Sequence, residues 1–232
     1  MKKAFTIIEL VFVLVVIGIL AAAIIPRMKT NPVKEAAIQL LHHIRYTQHL
    51  AMVDDKYNTS GGDWFKKRWQ IVFINSSKAN NNYAYTIFSD SSGDSTGDPN
   101  VEEIAKNPLN PLQLMTGGSS GGEARLGYNH KKFPGMKKLN IGMSYGITDM
   151  KFSSSCSVHR SKRIAFDFMG RPLKGKLGGA SGGGNTQAYE SNNIIQENCI
   201  ITLTNGEESV SLKITPQTGY TCILNKDGIG CI

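Results

Sequence analysis

From Phe5 to Ile25 the chain is an almost unbroken apolar run of 21 residues, interrupted by Thr6, Glu9 and Gly18. At about 1.5 Å per residue a helix of that length measures roughly 30 Å, the thickness of a bilayer core. The run holds fifteen Ile, Leu, Val and Phe residues. Each favours lipid by about 0.3 to 0.6 kcal/mol, and together they outweigh a single acid that opposes insertion by about 2.5 to 3.5 kcal/mol. The sequence thus predicts a transmembrane helix over residues 5–25. Lys2 and Lys3 place its front on the cytoplasmic side, although Arg27 and Lys29 behind it nearly balance them.

Pro26 follows the run, and proline removes an amide donor and kinks or loosens a helix. Asn31-Pro32 offers a second break or a fresh start. From Val33 apolar residues recur at three- and four-residue intervals through Ala37, Leu41, Ile44 and Ala51, which predicts a helix to about Met52. The expectation is one long, bent helix whose second half, residues 26–54, lies against a globular head of residues 55–232. Within that head Trp69 to Ile74, Tyr83 to Phe88, Arg163 to Phe168, Ile200 to Thr204 and Ser209 to Ile214 are β-branched or aromatic, several of them alternating with polar residues as half-buried strands do. Asp90 to Asn100, Thr116 to Gly122 and Gly175 to Gln187 are rich in Gly, Ser or Asp and predict mobile loops.

The front of the chain, Lys2-Lys3-Ala4-Phe5 with Glu9 four residues on, resembles the leader of type IV pilin-like proteins. The resemblance implies cleavage by a prepilin peptidase between Ala4 and Phe5, which leaves a leader of residues 1–4 and an N-methylated Phe5. It also implies that Glu9 serves assembly by meeting the Phe5 amine of a neighbouring subunit, in keeping with the rule that an acid in an apolar span is functional. Ala4 departs from the Gly most members carry before the cut. Further on, Ile164 to Arg171, Ile200 to Leu203 and Ser211 to Tyr220 resemble the strand and glycine-turn pattern of H-type minor pseudopilins and FimT-type minor pilins. Gly170 and Gly219 read there as turn residues with left-handed backbone.

The fold class implied is α+β, a long N-terminal transmembrane helix continuing into a periplasmic head of antiparallel β-sheet. The function implied is that of a minor pseudopilin or pilin subunit of a type II secretion pseudopilus or type IV pilus, a single-pass inner-membrane protein with its head in the periplasm. Its partners would be other pilin or pseudopilin subunits, the peptidase and methylase, an inner-membrane assembly platform and the membrane itself.

Cys156, Cys199, Cys222 and Cys231 form an even set in a head expected to reach an oxidising compartment, so disulfides are expected. Four thiols allow three pairings; nearness in sequence favours Cys222 with Cys231, leaving Cys156 with Cys199. Cys156 and His159 are the only close Cys/His combination and no Cys-x-x-Cys occurs, which argues against zinc. Asp90, Asp94, Asp98, Glu102 and Glu103 lack EF-hand spacing, and an acidic loop is the better reading than a calcium site. There is no GxSxG, P-loop or HExxH motif, so neither catalysis nor a cofactor is expected.

The formal charge is +8, or +6 once Lys2 and Lys3 leave with the leader (8 − 2 = 6). Twelve basic residues lie between Arg125 and Lys176 against Asp149 and Asp167. This asymmetry supports an alternative function, a DNA-binding minor pilin of an uptake fibre, with phosphate contacts at Lys131, Lys132, Lys137, Lys138, Arg160, Lys162 and Arg163. A third reading, a single-pass anchored periplasmic binding protein, needs no leader cleavage.

Overall fold

The computed structural model describes residues 6–24, 31–59, 61–93, 97–119, 123–158, 161–177, 187–225 and 227–232. The chain divides into two compact units, residues 1–31 and 32–232.

The first unit is one helix, α1 (Ile7–Ile24). Thr6 precedes it, and its hydroxyl accepts the Glu9 N–H at 3.3 Å while its carbonyl accepts the Leu10 N–H at 3.2 Å, so one residue satisfies two first-turn donors. Two expectations are corrected here. Of the described residues of the apolar run, 6–24, 18 are helical; at about 1.5 Å each they span about 27 Å, short of a bilayer core of roughly 30 Å. Among the described residues no helix is long and apolar enough to cross a membrane. The transmembrane segment over 5–25 falls with that observation, and so does the localisation built on it, a single-pass inner-membrane protein with a periplasmic head. Nor does one long helix lead into the head: the second helix starts afresh at Pro32, inside the other unit.

That helix, α2 (Pro32–Val53), opens with proline at its first position, where the missing N–H costs no hydrogen bond. Val33, Ala36, Leu40, Ile44, Thr47 and Ala51 form its buried stripe. Two antiparallel four-stranded sheets receive it. The first is ordered β2 (Asn82–Ser89), β1 (Trp69–Ser76), β6 (Arg163–Phe166), β7 (Pro172–Lys174), and the second β10 (Thr221–Ile223), β9 (Ser209–Ile214), β8 (Cys199–Thr204), β5 (Asp149–Phe152). All five segments predicted as strands contain strands, the one from Arg163 ending at Phe166 and not Phe168, and β8 shows the strict in-and-out burial its alternation predicts. A two-stranded hairpin, β3 (Lys106–Asn107) and β4 (Asn110–Leu114), and a short helix, α3 (Ile141–Tyr145), lie between the sheets in sequence. α2 touches β1 and β6 of one sheet and β8, β9 and β10 of the other. Every residue of the main core lies at or beyond Val33. Residues 32–232 therefore hold a complete core of their own and fold without α1.

The stretch from Thr116 was expected to be a mobile loop. Thr116 to Ser119 is instead buried and covers the outer edge of β2: the Thr116 and Thr86 hydroxyls are 2.7 Å apart, and the Gly117 N–H donates to the Tyr85 carbonyl at 3.1 Å. The glycine is there for close approach, since a Cβ on Gly117 would lie 2.2 Å from the Leu139 carbonyl carbon.

Candidate assembly interface

α1 is apolar on every side, and its side chains from Ile7 to Ala21 stand in solvent. Ile7 is 84% exposed, and Ile8, Phe12 and Ile19 are similarly bare. Glu9 occupies the first turn, where the partial positive charge of a helix N-terminus favours a carboxylate. A helix hydrophobic all round is normally buried on all sides. The core of the head is built among the head's own residues. Ala4, Phe5 and Pro26, the expected processing and kink positions, lie outside the described residues, so only Glu9 of that set has a place in the structure.

In the head, α2 is fixed by polar contacts that sequence reasoning did not find. Both amide protons of Gln48 are used, one donated to the Gly170 carbonyl and one to the Thr218 carbonyl, each at 2.8 Å. A single side chain thus ties the turn after β6 and the turn after β9 to α2. Gly170 (φ +79) and Gly219 (φ +64) both adopt left-handed backbone as expected, and a Cβ on Gly219 would meet the Gly170 carbonyl oxygen at 2.3 Å. Both turns must pack tightly as well as reverse the chain.

A second set lies further along α2. Gln39 Nε2 donates to the Tyr85 hydroxyl at 2.8 Å and to the Lys138 carbonyl at 3.0 Å, while Gln39 Oε1 accepts from the Tyr145 hydroxyl at 2.9 Å. The Tyr85 oxygen is 2.7 Å from His43 Nδ1. Burial holds the imidazole neutral and pushes its pKa down to about 4, with His42 adding a smaller push in the same direction. Burial drives the Tyr85 phenol upward.

No protein-family model, curated protein or solved structure matches the chain.

The four cysteines form two disulfides, Cys156–Cys199 and Cys222–Cys231. Three acids of the 90–103 stretch have protein partners. Glu103 accepts the Ser92 and Asn100 N–H groups at 2.7 and 2.9 Å, Asp90 accepts the Gly93 N–H at 3.1 Å, and Asp98 pairs with Arg163 at 3.1 Å. Asp94 and His159 lie outside the described residues, and among those described no group of three or more His, Cys, Asp or Glu is placed to hold a metal ion.

The residues expected to contact phosphate do not come together. Arg163 is buried inside β6, its guanidinium donating to the Gly97 carbonyl at 2.7 Å and to Asp98 and Gln70 while lying over Phe88. Desolvation lowers its pKa, with Asp98 opposing. Lys162 donates to the Met150 carbonyl at 2.8 Å and packs over Tyr83 and Phe152. Arg160 lies outside the described residues. Lys131, Lys132, Lys137 and Lys138 are exposed and lie within eight residues of one another in sequence.

Proposed function

We propose that this chain is a fibre subunit of the minor pilin or pseudopilin kind, matured by cleavage between Ala4 and Phe5 and joined to other such subunits through α1. The observation that carries this reading is the contrast between a head whose core is complete without α1 and an α1 that is apolar on every face and exposed. Such a helix lowers its free energy by packing against like helices, at roughly 25 cal/mol for each Å² of apolar surface removed from water. Glu9 supplies the specificity. A carboxylate in that packed apolar surface is tolerated only beside a cation, and the Phe5 amine of the next subunit is one, so the offset between them sets the stagger.

Two measurements test the reading together. Mass spectrometry of native material should find a chain that starts at a methylated Phe5, and Glu9→Val should abolish recovery of the protein in the sheared fibre fraction without lowering its cellular level. A native chain starting elsewhere, or normal recovery of the variant, refutes the proposal.

A further inference from the structure

The β3–β4 hairpin carries the sequence Asn107-Pro108-Leu109-Asn110-Pro111-Leu112, from its turn into β4. Leu109 is 93% exposed and Leu112 89%. Neither is loosely held: the Leu109 N–H donates to Asn107 Oδ1 at 3.0 Å, the Leu112 N–H donates to Asn110 Oδ1 at 3.2 Å, and the two prolines fix the backbone between them.

The base of the hairpin gathers positive charge through Leu114. That residue pairs with Lys106 across the hairpin, its N–H donates to the Pro134 carbonyl at 2.9 Å, and its carbonyl accepts the Met136 N–H at 3.1 Å. Lys106, Lys131, Lys132, Lys137 and Lys138 therefore emerge within a few residues of one point, all exposed. None of the five has an ion-pair partner among the described residues. From Ile104 to Thr148 the only acid is Glu123, and it is paired with Arg125 at 2.7 Å.

We propose that this hairpin is a peripheral docking site for an anionic lipid surface, with Leu109 and Leu112 entering the acyl boundary and the five lysines meeting the headgroup phosphates. An exposed apolar pair suits a soft apolar phase, and exposed basic residues near the base of the same hairpin suit a negatively charged interface. Nucleic acid would use the lysines but would leave both leucines in water. The site belongs to the head and is independent of what α1 does.

The test uses residues 32–232, which hold the whole core, and vesicles of phosphatidylcholine with or without phosphatidylglycerol. Binding should require phosphatidylglycerol and weaken with salt. The double variant Leu109→Ser/Leu112→Ser should bind at least roughly tenfold more weakly with an unchanged melting temperature, because both side chains lie outside the core. In a Leu112→Trp variant, emission should shift to the blue on vesicle addition and be quenched by brominated acyl chains. The proposal is overturned by absence of binding, by binding that ignores the leucine pair, by a Leu112→Trp signal that stays that of water, or by retention on duplex DNA or an acidic protein that exceeds retention on vesicles.

Discussion

Acid should destabilise the head through His43 before it reaches Asp54 or Asp149. Gln39 donates to the Tyr85 oxygen, so the Tyr85 hydroxyl proton has to go elsewhere, and His43 Nδ1 at 2.7 Å is the acceptor. That arrangement needs neutral imidazole. Protonation at Nδ1 would set two donors face to face beside a buried phenol and place a charge in a partly buried site. The folded pKa is about 4 against an ordinary 6.5, so between those values the unfolded chain binds a proton that the folded chain refuses. Stability from this group is complete above about pH 6.5, falls as pH drops towards 4, and is flat below.

The full effect of the 2.5-unit shift is about 3 kcal/mol, and at pH 4.5 about 2.5 kcal/mol of it is already lost. Urea unfolding of the 32–232 unit should show a midpoint about 1 M lower at pH 4.5 than at pH 7, for a slope of about 2.5 kcal/mol/M. His43→Gln keeps an acceptor for Tyr85 and cannot titrate, so it should lose little over the same interval. Asp54 and Asp149 have pKa values held below 3.8, Asp54 by the Lys56 and Trp69 hydrogen bonds against opposing desolvation and Asp149 chiefly by the Tyr83 hydroxyl, and they give up stability only at lower pH. Equal losses in wild type and His43→Gln between pH 7 and 4.5 would show that another group carries the titration.

Four further outcomes follow from geometry already described. Gly219→Ala should cost about 2 to 4 kcal/mol, from strained backbone plus a clash with the Gly170 carbonyl, whereas Gly206→Ala, with φ +96 and open space around it, should cost about 1 kcal/mol; thermal melts of the two variants distinguish clash from strain. Replacing Cys222 and Cys231 by Ser should cost about 2.5 to 3 kcal/mol for a loop of nine-residue separation, and opening Cys156–Cys199, with a separation of 43, about 4 kcal/mol; denaturant midpoints give both. Arg163→Met should lower stability by about 2 to 4 kcal/mol because it removes the buried guanidinium's hydrogen bonds to the Gly97 carbonyl, Asp98 and Gln70. Gln48→Leu should cost about 2 kcal/mol through two carbonyls left without donors, with the faster amide exchange confined to the turns at 167–171 and 215–220.

Strands and helices that follow a local period were legible in the sequence. β8 alternates because one of its faces meets the core, and α2 repeats at three and four residues because one stripe does. The cysteine pairing was legible because a short loop is the easiest to close. Length near a threshold was not. A run of 21 apolar residues reads as a membrane span, yet α1, with 18 residues, is not long and apolar enough to cross a membrane.

What the sequence hides most is the difference between two uses of one residue. Glycine both loosens a chain and lets two backbones touch, and composition registers only the first. At 116–119 that reading fails, because Leu139, distant in sequence, comes to rest where a Cβ on Gly117 would stand. Arginine is equally double. In a run of basic residues it suggests phosphate, while Arg163 spends its charge inside the head on partners 65 and 66 residues earlier. Gln48 reaches across 122 and 170 residues to its two carbonyls, and no window along the chain contains all three. Local pattern thus settles which segments become elements, whereas the contacts that hold α2 between its sheets depend on residues that meet only after the chain has folded, and substitutions there should disturb docking of the elements more than their formation.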